Sequence, residues 1–291
     1  MHLQKTVRGF PRENSESALP VCRYFFYTVC MINPESNVPA LPESEQDKMT
    51  REMERKAEFA LGQLSIPVGK IMEKLTSLLE SGEIELIVGD DASGRIPTAI
   101  FREIFRMAYK EKGFAAPKII YIAGSKFLEG EEKKEKKEKI IKYLERVKKE
   151  MKKTSDLPME RALVVTDLVV TGVSLDPVME ALHEMGVQIK AVASISVKSN
   201  EEEIRELEER WSAPLFFGLD HSPAVYASDA LSGVIKKPND LFAAPFVRPG
   251  VVGRFGETGN QKIINKTREL GNALAEEAYQ NWKEAHPKKN V

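Results

Sequence analysis

The feature that most constrains the fold of this chain is the segment 162–175. It begins as an apolar, β-branched run that carries one acidic side chain, Asp167, near its end. It then passes through the loop 171–174, Thr-Gly-Val-Ser, into a stretch that is compatible with a helix from Asp176. Such a loop offers an anion free backbone N–H groups, the positive end of a helix dipole and little steric obstruction. The segment therefore predicts a strand–loop–helix unit that holds phosphate.

Two further strands of the same kind precede this segment. Residues 83–89 form an apolar run that leads into the loop 90–95 and then into a helix opened by Pro97, a residue suited to a first helical turn. Residues 118–123 form another strand, which Gly-Ser-Lys follows at 124–126. Strands that alternate with helices predict an α/β fold with a doubly wound, mostly parallel sheet. Ligands of such sheets bind outside the carboxyl ends of the strands, so we expect the three loops to converge there.

Composition divides the chain into three parts: an N-terminal arm and linker (1–44), an α/β domain (45–260) and a C-terminal helix (261–291, helical from Lys262 to Trp282). Within the arm, residues 21–32 are rich in aromatic and β-branched side chains, which indicates a strand. The domain begins with an N-terminal helical extension over 45–79, broken near Pro67. Its last part, 218–260, is rich in Gly, Pro and aromatic residues, which favours a loop-dominated cap.

A charged helical insertion is expected over 127–158. Within it, residues 129–153 hold eleven Lys or Arg and seven Glu, and apolar residues recur at helical spacing. This pattern is typical of a helix with a thin apolar stripe. Two interpretations stay open, a solvated helical arm and an arm that contacts nucleic acid. The solvated arm is favoured, because alternating charge signs dilute the affinity for phosphate.

Composition also excludes several classes of protein. The formal net charge of −1 gives no global field of the kind that attracts nucleic acid. With two cysteines and four histidines, the chain has neither a disulfide framework nor a recognisable metal-ligand spacing. The apolar run from Tyr24 to Ile32 is too short to span a bilayer, so no membrane association and a cytoplasmic location are expected. The Walker and GxGxxG patterns are absent, which argues against a nucleoside triphosphatase or a dinucleotide enzyme.

Taken together, the three loops resemble those of the type I phosphoribosyltransferase family. The family signature is four apolar residues, two acidic residues, two or three apolar residues and a Thr/Gly-rich loop that ends in Thr or Ser. Residues 163–174, with the sequence LVVTDLVVTGVS, fit this signature at all but two positions. The resemblance covers roughly residues 58–235 and implies a phosphoribosyltransferase-like fold.

The resemblance also implies a role for each loop. The ribose 5-phosphate loop would comprise Thr166, Asp167, Thr171, Gly172, Val173 and Ser174, with the ribose hydroxyls on Asp167 and the 5-phosphate on the last four residues. Pyrophosphate would be held by Ser93, Gly94, Arg95 and Lys126. The expected catalytic residues are Asp167, Arg95 and Lys126, and the implied cofactor is Mg²⁺, which Asp167 would contact indirectly. The implied ligands are phosphoribosyl pyrophosphate and a base-like acceptor.

Recognition of the acceptor base would fall to the aromatic-rich segment 214–246, which includes Phe216, Phe217, Tyr226 and Phe242. Ordinary core packing is the alternative role of these four side chains, and it is the favoured one. A homodimer is an open alternative to a monomer.

Three departures from the family pattern bear on activity. Thr166 stands at the first of the two acidic positions, and Val170 stands where some purine-specific members carry an acidic base. The charged segment 127–158 lies where the family has its mobile catalytic loop. The leading hypothesis is an enzyme that transfers phosphoribose to a nitrogenous base or a related acceptor. The alternatives are a non-catalytic sensor of phosphoribosyl pyrophosphate or nucleotide on the same fold, and a nucleic-acid-interacting protein that uses 129–153.

Overall fold

Five parallel strands form the central sheet of the computed structural model, which describes residues 43–91, 94–124, 128–154, 157–220, 233–235, 240–242, 244–246 and 249–287. The strands are β1 (Leu86–Asp90), β2 (Lys118–Ile122), β3 (Arg161–Val169), β4 (Gln188–Val197) and β5 (Leu215–Asp220). They lie in the order β2-β1-β3-β4-β5, and every neighbouring pair is parallel. A separate antiparallel pair joins β6 (Gly233–Ile235) to β7 (Ala244–Phe246). The predicted α/β fold class is confirmed.

Helices cover both faces of the sheet. In the described ranges they are α1 (Glu43–Gly62), α2 (Ser65–Lys74), α3 (Thr76–Ser81), α4 (Arg95–Lys112), α5 (Gly130–Thr154), α6 (Asp176–Glu184), α7 (Glu201–Trp211) and α8 (Pro249–Ala285). The β1-to-β2 connection runs toward one edge of the sheet, and the later connections run toward the other. Because such crossovers are right-handed, α4 belongs on one face and α5, α6 and α7 on the opposite face. The two clusters of buried apolar residues agree: one joins α4 to α2, α3 and α8, and the other joins α5, α6 and α7.

Burial on both faces explains why the strands appear in the sequence as continuous apolar runs. All five residues of β1 and the last seven of β4 are buried. A parallel strand of this kind has no solvated face on which polar residues would alternate. The strand predicted at 21–32 lies outside the described residues.

The charged segment contains a helix, α5, but this helix is not a solvated arm. It forms the crossover between β2 and β3, and the apolar residues of its stripe are buried in the core, namely Ile140, Leu144, Val147 and Met151. Its lysines also pair with α6, Lys133 with Glu180 at 2.7 Å and Lys137 with Glu184 at 3.0 Å. The interpretation as a solvated arm is therefore wrong. Two of the lysines considered for contact with nucleic acid, Lys133 and Lys137, thus form ion pairs with α6 instead.

The closing helix is longer than predicted. It begins at Pro249 rather than Lys262 and ends at Ala285. Glycines recur at 250, 253, 256 and 259, and their low helix propensity hides this part of the helix from a pattern based on apolar spacing. Among the described helices, α8 included, none is both long and apolar enough to cross a membrane.

Helix α2 crosses strand β5 closely, at Gly218. The break predicted near Pro67 separates α1, which ends at Gly62, from α2, which begins at Ser65. Pro67 is buried in the first turn of α2, and a Cβ atom placed on Gly218 would overlap its backbone. The contact thus requires a residue without a side chain in β5.

We expect the substitution Gly218→Ala to destabilise the protein by about 1–3 kcal/mol, because the backbone of Pro67 has no room to move away. The matched control is Gly69→Ala, since Gly69 lies inside α2 and a Cβ there would meet nothing within 4 Å. That change should stabilise the protein by about 0.5–1 kcal/mol through helix propensity. Urea unfolding of both variants measures the free energies. Equal changes for the two variants would contradict the close crossing of α2 and β5.

Candidate functional site

The candidate site lies at the topological switch point of the sheet, where the chain reverses the direction in which it adds strands. Strand β1 has β2 on one side and β3 on the other, and the chain leaves β1 toward β2 before it returns to β3. In open parallel sheets this point leaves a crevice outside the carboxyl ends of the two central strands. The loops that border the crevice are those that follow β1 and β3.

The carboxylate of Asp90, the last residue of β1, ties three strand ends together. Its side chain is buried, with 4 % of the residue exposed. Oδ1 accepts a hydrogen bond from the backbone N–H of Gly124, two residues after β2, at 3.2 Å. Oδ2 accepts a hydrogen bond from the hydroxyl of Thr166 in β3 at 3.3 Å. One carboxylate therefore fixes the relative position of β1, β2 and β3 at the edge where the loops begin.

The three loops approach each other through glycines. A Cβ atom on Gly124 would overlap the carbonyl oxygen of Ser174 and lie 3.3 Å from Oδ1 of Asp90. A Cβ atom on Gly94 would lie 2.6 Å from the carbonyl oxygen of Asp90 and 3.0 Å from that of Val165. The loops predicted to converge at 90–95, 124–126 and 166–174 thus meet in their described parts. Ser93 and Lys126 lie outside the described residues.

Arg95 stands in the first turn of α4 and is held by Asp91. Its guanidinium forms an ion pair with the fully buried carboxylate of Asp91, while 43 % of the Arg95 side chain is exposed. Its guanidinium carbon also lies 5.4 Å from the centroid of the Tyr121 ring in β2. These contacts hold a cation beside the loop that follows β1, which suits binding of an anionic group there.

The loop 171–174 turns sharply before α6. Gly172 has a φ of 71°, in the left-handed region that favours glycine, and its carbonyl oxygen accepts a hydrogen bond from the N–H of Leu175 at 2.8 Å. Thr171 and Val173 are exposed and Ser174 is half-buried. Residues 171–174 therefore form a tight turn that leads into α6 and carries the hydroxyl groups of Thr171 and Ser174.

Helix α7 supports this loop through Arg210 and Trp211, which together form what we call the α7 brace. The guanidinium of Arg210 donates to the carbonyl oxygen of Thr171 at 2.7 Å and lies 3.4 Å from the carboxylate of Asp176. The indole N–H of Trp211 donates to the same carboxylate at 3.0 Å. A Cβ atom on Gly172 would overlap Trp211 and lie 2.8 Å from the guanidinium of Arg210. Sequence reasoning missed Arg210, Trp211 and Asp176, because no local signal links residues that lie 35 to 39 positions apart.

Four acidic or hydroxyl residues at or near the carboxyl ends of β1 and β3 are buried. Asp90, Asp91, Thr166 and Asp167 are exposed by 4 %, 0 %, 1 % and 8 %. Asp90 accepts hydrogen bonds from Gly124 and Thr166, and Asp91 pairs with Arg95. No group of three or more His, Cys, Asp or Glu residues that could hold a metal ion occurs within the described ranges.

The aromatic side chains suggested for base recognition divide into three outcomes. Phe216 and Phe217 pack against the two core clusters, which confirms the packing alternative for them. Phe242 is 45 % exposed and makes an edge-on contact with Tyr143, with 5.1 Å between the ring centroids. It follows Leu241, whose carbonyl oxygen accepts a hydrogen bond from the N–H of Ala123 at 2.8 Å, just after β2. Tyr226 lies outside the described residues.

Comparison with known proteins gives matches by structure only. No protein-family model matches the chain, and no curated protein matches its sequence. The chain is similar to the crystal structure of orotate phosphoribosyltransferase from Aeropyrum pernix, with a TM-score of 0.31, 14% identity, and coverage of 53% of this chain and 68% of that chain. It is also similar to a crystal structure of adenine phosphoribosyltransferase, with a TM-score of 0.30, 12% identity, and coverage of 52% and 76%. The fold assignment rests on the strand order and pairing of the sheet itself.

We expect Gly172→Ala to cost more stability than Gly186→Ala. Both glycines have a positive φ, 71° and 72°, so alanine costs about 1–2 kcal/mol at either position. A Cβ at Gly186 would meet nothing within 4 Å, whereas a Cβ at Gly172 would collide with the α7 brace and add about 1–3 kcal/mol. Urea unfolding of the two variants measures the difference. Equal losses would show that α7 does not constrain the loop.

Proposed function

We propose that this protein binds phosphoribosyl pyrophosphate at the crevice between β1 and β3 and transfers the phosphoribosyl group to a nitrogenous base or a related acceptor. The observation that carries the proposal is the meeting of the three loops around Asp90, with Gly124 and Thr166 as its partners. A sugar that bears a phosphate at one end and a diphosphate at the other needs two anion-binding loops with a sugar-binding group between them. The loop 171–174, Asp167 and the loop 90–95 supply these three parts in that order.

Each part has a defined task in the proposal. The loop 171–174 receives the 5-phosphate through backbone N–H groups and the hydroxyls of Thr171 and Ser174 at the start of α6. Asp167 accepts hydrogen bonds from the ribose hydroxyls. The diphosphate lies against Gly94 and the guanidinium of Arg95, which the Asp91 carboxylate keeps in place. Ser93 and Lys126 complete the diphosphate side by the resemblance of their loops.

The transfer breaks the bond between the anomeric carbon and the diphosphate oxygen and forms a bond from that carbon to a nitrogen of the acceptor. Positive charge develops on the ribose ring as the diphosphate leaves. The protein contributes by holding the sugar in line between the leaving group and the acceptor, and by placing Arg95 against the departing negative charge. Val170 has no group that accepts a proton, so the acceptor proton passes to water or to the diphosphate.

A magnesium ion that enters together with the ligand is part of the proposal. Mg²⁺ keeps several waters and is usually held by one or two carboxylates together with substrate phosphates. Asp167 would supply a carboxylate for indirect contact with the ion. When bound, Mg²⁺ would neutralise part of the diphosphate charge.

A second candidate function, a non-catalytic sensor of the same ligand, is favoured by Thr166. Its hydroxyl donates to Asp90, so the side chain that stands in place of a carboxylate serves the strand ends instead. Val170 is 45 % exposed and apolar where an acidic base would stand. These two residues support binding without turnover.

Calorimetry with phosphoribosyl pyrophosphate and Mg²⁺ tests the binding step. We expect saturable binding to the wild-type protein, and at least about tenfold weaker binding to Asp167→Asn, because hydrogen bonds to a charged group contribute about 1.5–3 kcal/mol. The matched control is Glu145→Gln, an exposed carboxylate on α5, which should bind as the wild type does. An absence of wild-type binding at millimolar ligand would reject both the transferase and the sensor.

Release of pyrophosphate separates the transferase from the sensor. With a panel of purine and pyrimidine bases, the transferase should release pyrophosphate with at least one base, and Asp167→Asn should lower the rate. The sensor should bind phosphoribosyl pyrophosphate in calorimetry yet release no pyrophosphate with any base. Release that is unchanged in Asp167→Asn would contradict the assigned role of this carboxylate.

A further inference from the structure

A second concave site lies between α4 and β2. It is a cavity of about 330 Å³ lined by Arg102, Arg106, Ala116, Pro117, Lys118, Ile119 and Tyr121. This volume falls at the lower end of the roughly 300–1,000 Å³ found for small-molecule sites. The cavity therefore has room for a small ligand.

The cavity extends away from the crevice at the carboxyl ends of the strands, and Tyr121 lies where the two meet. Lys118 is the first residue of β2 and pairs in register with Leu86, the first residue of β1. At about 3.3 Å per residue, Lys118 lies about 13 Å from Ile122, where β2 ends and the crevice begins. The Lys118 end of the cavity therefore lies at the amino-terminal end of β2.

The sheet topology leaves this place open. Strand β2 is at the edge of the sheet, and the chain connects it to β1 through α4, which packs over β1 and β3. Ile119 and Tyr121 share the face of β2 that looks toward α4, and both are only half-buried. They form a floor that carries an apolar chain and an aromatic ring.

The walls of the cavity are cationic. Arg106 is paired with Glu103, at 2.8 Å between Nε and the carboxylate. Arg102 and Lys118 are exposed, and neither forms an ion pair with any described residue. Burial raises the pKa of Tyr121, and the positive charge of Arg102 is the largest effect that opposes the rise. The positive charge of Arg102 therefore acts on the ring that forms part of the cavity floor.

We propose that this cavity binds a small organic phosphate, with the phosphate group between Arg102 and Lys118 and the apolar or planar body over Ile119 and Tyr121. Two cations without acidic partners attract a dianion, and arginine presents a planar fork that matches phosphate oxygens. Burial of the half-exposed side chains of the floor under an apolar group favours binding. The site is independent of the proposed function.

The test maps binding by NMR, which distinguishes the cavity from the crevice by the amides that shift. The probes are adenosine 5′-monophosphate, inorganic phosphate and adenosine. We expect saturable shifts at the amides of Ile119–Tyr121 with the monophosphate, weaker shifts at the same amides with inorganic phosphate, and none with adenosine. The double substitution Arg102→Gln and Lys118→Gln should weaken monophosphate binding by at least about tenfold. Lys110→Gln, an exposed lysine of α4 outside the lining, is the matched control and should bind as the wild type does.

Each outcome decides the matter. Shifts at Ile119–Tyr121 that the double substitution removes support the cavity even if phosphoribosyl pyrophosphate does not bind to the protein. Shifts confined to 171–175 would overturn the cavity site and leave the proposed function standing. An absence of saturable shifts with both phosphates, or shifts undiminished in the double variant at an unchanged melting temperature, would also overturn it.

Discussion

The structure at the candidate site depends on one buried carboxylate. Asp90 is almost inaccessible, and a buried carboxylate is costly unless hydrogen bonds satisfy it. Two of its partners are the N–H of Gly124, two residues after β2, and the hydroxyl of Thr166 in β3, so both neighbours of β1 are joined to it. The desolvation cost therefore acts as a constraint, because the three strand ends have to stay in register for the carboxylate to remain paired. The hydrogen bonds of Asp90 therefore also position the loops that follow these strands.

Close approach of these loops is possible because each carries a glycine where a side chain would collide. The obstacles differ in kind: backbone carbonyls at Gly94 and Gly124, and the side chains of Trp211 and Arg210 at Gly172. The N–H groups of Gly94 and Gly124 both donate to Asp90, one to its carbonyl oxygen and the other to its carboxylate. These two glycines therefore serve the packing of the loops against the end of β1.

The sequence predicts most of the strands and loops of this site, because parallel strands buried on both faces leave continuous apolar runs that point to the loops after them. It does not predict the α7 brace. Arg210 contacts Thr171 across 39 positions, and neither segment carries a sequence pattern that indicates this contact. It mistakes α5 for a solvated arm because four buried residues are hidden among eleven cations, some of which pair with α6. Tertiary contacts decide both features, and tertiary contacts are what a local pattern omits.

Tyr121 is a side chain that the crevice and the cavity share. On one side the guanidinium of Arg95 lies 5.4 Å from the ring centroid, and on the other the ring forms part of the cavity floor. A ligand that presses on this ring in the cavity would change the freedom of Arg95, and by linkage a diphosphate on Arg95 would change the affinity of the cavity by the same factor. Any coupling between the two sites is bounded by how far the Tyr121 ring moves. The ion pair with Asp91 restricts the movement of Arg95 and therefore limits this coupling. The two proposed sites are expected to act nearly independently, although both involve Tyr121 of β2.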